Sequence, residues 1–111
     1  MPLPNCIENS EAITPDDVRW QKEEKETLER WYKRSEENRL KLLHRARDLV
    51  TQWNGDPPVF AGLRIEVQYN VCQDYVRKRD AETDNEWKLI YEGRLRRAME
   101  RLFELVEEYD K

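Results

Sequence analysis

The sequence predicts an all-α fold, an antiparallel three-helix bundle with a long first helix, and three observations predict it. Within Glu86–Tyr109, Trp87, Tyr91, Leu95, Ala98, Leu102, Leu105 and Tyr109 recur at steps of four and three. Ile90, Met99, Phe103 and Val106 widen that row into the broad apolar stripe of a helix buried along one side. Between Pro15 and Gly55 the chain contains neither glycine nor proline. Finally, 40% of the residues are charged and only 3 are glycine, a balance that favours long helices over a sandwich or barrel.

Taken in order, residues 1–13 read as a flexible N-terminal arm, and residues 14–111 as one helical domain. Thr14-Pro15-Asp16-Asp17 is a helix start: threonine caps, proline fits the first helical position, and the acids suit the positive end of the helix dipole. Asn54-Gly55-Asp56-Pro57-Pro58 is a stop. The simplest reading is one helix over 15–53, about 58 Å long at 1.5 Å per residue. Lys33 to Arg39 contains no apolar residue, however, and Ser35 with Glu36 and Glu37 behind it offers a second helix start. A break at Ser35 is the alternative.

Residues 59–79 carry two patterns. Leu63, Ile65, Val67, Tyr69 and Val71 alternate with polar residues as a strand does. The helical period explains a longer span, with Phe60, Leu63, Val67, Val71 and Tyr75 on one apolar face and Ile65, Tyr69, Cys72 and Val76 on a second. The reading adopted is a helix over 57–79, apolar on two sides and so placed between two others. The alternative is an α+β fold with a two-stranded ribbon from 63–71 and 87–91, stable only if helices pack on it. Arg77-Lys78-Arg79 suits the negative end of this helix. Asp84 or Asn85 then caps the last helix, over 85–110, in which Gly93 marks a close crossing or a bend.

At 111 residues the chain suits a single domain with a modest core. Four Trp and five Tyr argue against disorder. No run approaches eighteen apolar residues, so no membrane span is expected. The opening Met1-Pro2-Leu3-Pro4-Asn5-Cys6 lacks the charge and the apolar run of a signal peptide. Cys6 and Cys72 form no Cys-x-x-Cys pair and read as reduced thiols, which points to the cytoplasm. A net charge of −4 makes this a small acidic protein, not a general electrostatic binder of nucleic acid.

No motif names an activity. His44 is the only histidine. Asp48 one turn on could orient it, but neither a nucleophile nor a metal set accompanies the pair. There is no second histidine, no cysteine cluster and no phosphate-binding loop. Cys72 falls on an apolar face and reads as a packed thiol. The chain is therefore expected to be no enzyme and to need neither cofactor nor metal.

Two features point to binding. Arg30, Arg34, Lys41 and Arg45 share one helix face, and Arg94, Arg97 and Arg101 share another. Either stripe could meet phosphates, although solvated faces with intrahelical ion pairs are the simpler explanation. The second feature is aromatic. Leu28, Trp31 and Tyr32, with Trp20 farther out, sit on the half of the first helix that projects about 20 Å beyond its shorter neighbours if unbroken. Two copies crossing there would cover each other's overhang. The expected function is a non-enzymatic helical interaction protein, an adaptor or small subunit of a cytoplasmic assembly, forming a homodimer through the first helix. The alternative is a nucleic-acid-associated accessory protein using the basic stripes.

Overall fold

The structure is a computed structural model that describes residues 15–111, with the side chains of residues 15–18 and of Trp20 outside the description. The reading of residues 1–13 as an arm, and of Trp20 as an interface residue, therefore lies outside the described residues. Among the described residues four helices follow one another: α1 (Pro15–Lys33), α2 (Glu36–Trp53), α3 (Phe60–Ala81) and α4 (Asn85–Tyr109). The all-α class holds. Among the described residues there is no strand, and residues 63–71 and 87–91 of the alternative ribbon lie inside α3 and α4.

The long first helix is corrected: it is two helices, broken at Ser35, and the expected three become four. The cause is local capping. Ser35 sits in an extended conformation and its hydroxyl accepts a hydrogen bond from the Asn38 backbone N–H, while Glu36 and Glu37 occupy the first turn of α2. Arg39 stabilises the other side of the break. Its guanidinium donates to the carbonyls of Trp31 and Arg34 at the end of α1, both at 2.8 Å, and the Trp31 carbonyl also accepts from the Arg34 N–H. The same group lies 4.7 Å from the centre of the Trp31 ring.

The stop after α2 forms as its residues dictate. Asn54 takes the left-handed conformation and its N–H reaches the Val50 carbonyl, and Gly55 follows with a φ of 86°. The third helix begins at Phe60, not at 57, because Pro57 and Pro58 remain in the connection, and it runs on to Ala81. Asp84 caps α4 by accepting from the N–H groups of Glu86 and Trp87.

The fourth helix touches each of the other three. It buries Leu95, Ala98, Leu102 and Val106 in one cluster with Ala46 of α2 and Ile65 and Cys72 of α3, and Phe103 is fully buried beneath the Trp31 ring of α1. The three-residue connection from Glu82 to Asp84 makes α3 and α4 a hairpin, and Gln68 ties its two arms together by donating to the Ala98 carbonyl at 2.9 Å. Gly62 permits a close approach at the base of α3. A β-carbon there would stand 3.2 Å from both the Trp53 ring and Pro57. Gly93 is different: among the described residues a β-carbon would meet only the Arg97 guanidinium at 3.7 Å, so no described helix crosses close to it.

Candidate interaction surface

The break at Ser35 removes the overhang. α1 comes close in its backbone only to α4 among the described helices. Trp31 is half-buried and its ring stacks on Phe103, with centroids 5.9 Å apart and the planes 11° from parallel. Leu28 is also half-buried. Tyr32 is exposed, and its hydroxyl accepts a hydrogen bond from Arg96 at 3.0 Å. Of this cluster, then, Trp31 is spent within the chain and Tyr32 remains at the surface.

The basic stripes are spent largely on the chain's own acids. Arg34 is the centre of this network. Its Nε and one terminal nitrogen donate to the two carboxylate oxygens of Glu100, at 2.7 and 3.0 Å, and its two terminal nitrogens also reach Glu107, at 3.0 and 2.7 Å. Asn38 accepts one further bond from it. These contacts hold the Arg34 guanidinium above its ordinary range, through the hydrogen bonds to Glu107 and then Glu100, and they hold the Glu107 carboxyl below its own. Arg30 pairs with Glu104, and Arg45 with Asp110. Arg97 and Arg101 both pair with Glu24, so that α1 is fastened to α4 at two levels. Of the seven basic candidates, only Lys41 and Arg94 carry no ion pair among the described residues. Arg94 joins Arg97, Arg101 and Glu24 in the wall of one groove, with Gln68 and Tyr75 opposite.

Cys72 is buried, and loss of water pushes its thiol up to about 12. It is protonated near neutral pH and packs as a small apolar group. His44 and Asp48 are both exposed on α2. Among the described residues, no group of three or more His, Cys, Asp and Glu gathers where it could hold a metal ion. No described helix is long and apolar enough to cross a membrane.

A row of exposed apolar side chains lies on α3. The sequence gives this helix two apolar faces, and only one of them is covered. Ile65 and Cys72 are buried, with Tyr69 and Val76 packed against the core. On the other face Phe60 is 74% exposed and Val67 54%, with Leu63 and Val71 also exposed. α1 does not cover this face, because it is held on α4 by Trp31, Arg34 and Glu24. Two open troughs meet at Val67. One is lined by Phe60, Leu63, Arg64 and Leu105, the other by Val71, Asp74, Tyr75 and Lys78. At the far end of the hairpin every residue from Asn85 to Ile90 is exposed, including Trp87, Leu89 and Ile90. The Trp87 and Tyr91 rings are 5.9 Å apart there.

Sequence reasoning found the residues of this face but placed them in a bundle interior. The missing information was which helix lies beside α3, and the residues of α3 do not carry it. Compared with models of known families, with curated proteins and with solved structures, the chain matches none of them.

Proposed function

We propose that this chain is a non-enzymatic helical interaction protein, an adaptor or small subunit of a larger assembly, whose docking surface is the open face of α3. The observation that carries the reading is the row Phe60, Leu63, Val67 and Val71, exposed at helical spacing on a helix whose opposite side is packed. Burying one such side chain is worth about 1.5–3 kcal/mol. A contiguous apolar row facing water forgoes that at each position, and on soluble proteins such patches mark interaction sites. A helix laid along the row would bury the anchors at i, i+3, i+7 and i+11, which is how helices fill grooves.

The apolar surface is favoured over the basic stripes because Arg30, Arg34, Arg45, Arg97 and Arg101 already meet carboxylates of this chain. A phosphate ligand would have to displace them. The test compares the proteins recovered with the tagged full chain from its native cell before and after Val67→Asp. A specific partner lost in that variant and kept in Tyr32→Ser supports the reading. A partner kept in Val67→Asp, or one released by raising the salt from about 50 to 200 mM, contradicts it.

A further inference from the structure

The open face of α3 is self-complementary. Arranged antiparallel to itself about a two-fold axis at the level of Tyr69, the row sets Val67 opposite Val71, Leu63 opposite Tyr75, and Phe60 opposite Lys78. In that one register Arg64 stands opposite Asp74. All eight positions fall on the same side of the helix at 100° per residue, within about 60° of its midline. Each copy therefore meets the other along a seam of roughly 27 Å, the rise from Phe60 to Lys78 at 1.5 Å per residue.

The charges argue for this occupant. Arg64 is exposed and carries no ion pair among the described residues. Asp74 lies at the other end of the row and is held by Lys78 at 3.0 Å and Arg77 at 3.6 Å. An acid and a base equidistant from the centre of an apolar row match an antiparallel copy of the same row, and a two-fold seam uses the pair twice. Mixed signs in this arrangement do not suit a polyanion, which would meet Asp74. The ends also fit. Lys78 lies 5.7 Å from the Tyr75 ring, so Phe60 of one copy reaches an aromatic and cationic end of the other.

We infer that the open face of α3 is a seam between two copies of this chain, in which the two α3 helices lie antiparallel with Arg64 of each copy paired to Asp74 of the other. The inference rests on the reading of this face as a docking surface and names its occupant.

Sedimentation of the full chain at micromolar concentration tests it. The expected mass is twice 13.6 kDa, and Val67→Asp should give a monomer with an unchanged helical spectrum, since Val67 faces water. Arg64→Glu and Asp74→Arg should each weaken the dimer about tenfold, because each sets like charges together at two places. Mixed in equal amounts, these two variants should recover the dimer, since each supplies what the other lacks. A single 13.6 kDa species at all concentrations, or a mixture that associates no better than either variant alone, overturns the seam. A monomer that still binds a different protein through Val67 also overturns it, while leaving α3 as the docking surface.

Discussion

Arg34 grips Glu100 with two parallel hydrogen bonds, and Glu100 has no exposed surface at all. A fully buried carboxylate is tolerated because the guanidinium faces it edge-on and is itself only 14% exposed. Removing the base strands the acid. Arg34→Ala should therefore lower the stability of the chain by about 3–5 kcal/mol, the cost of an uncompensated buried charge. Replacing both partners, Arg34→Met with Glu100→Leu, should recover most of that loss. Chemical denaturation of the three proteins measures it. A double variant as weak as Arg34→Ala would show that the pair acts through something other than its charge.

The same network gives a pH dependence. Glu107 is held below its ordinary range first by the hydrogen bond from Arg34, and Asp110 by that from Arg45. A carboxyl whose folded value is depressed contributes stability that is fully present above its unfolded value and is lost as the pH falls through the folded one. These two groups should leave stability flat from neutral pH down to the ordinary carboxylate range, near about 4, and lower it below. The Arg34→Met, Glu100→Leu protein lacks the Glu107 contribution, so its acid slope should be shallower. Denaturant midpoints taken from neutral pH to about 2.5 give the comparison. Equal slopes would remove Glu107 from the account.

The two helical glycines should respond in opposite directions to alanine. At Gly93 a methyl group meets only the Arg97 guanidinium, at the ordinary contact distance of 3.7 Å, and helix propensity then favours alanine by up to about 1 kcal/mol. At Gly62 the methyl would press on the Trp53 ring and on Pro57 at 3.2 Å. Those neighbours have to give way, so Gly62→Ala should destabilise despite the better propensity. Thermal melts of both variants measure the contrast, and a shift of the same sign in both would contradict it.

Much of the fold is legible in local sequence, because local rules decide it. The Asn54-Gly55 stop, the Asp84 cap and the stripe from Leu95 to Val106 follow from residues adjacent in the chain. The break at Ser35 was also written there, as a cap with two acids behind it. It loses to a continuous helix only when the contribution of Arg39 to the last carbonyls before the break is overlooked. What the sequence does not carry is which face meets which. Arg34 and Glu100 lie 66 residues apart, and on a helical wheel each reads as one more solvated charge. Trp31 reads as a free aromatic until Phe103 is known to lie under it. For the same reason the α3 row looked like the inside of a bundle: its periodicity says apolar, and only the position of α1 says uncovered.

The central claim, that the row on α3 is a docking surface, is tested most directly by placing a photo-crosslinking side chain at position 67 of the full chain in its native cell. A second protein carries the same group at Arg47, an exposed position on α2 away from the row. Irradiation should give one defined adduct from position 67 and none from position 47. No adduct from 67, or the same adducts from both positions, would contradict the claim.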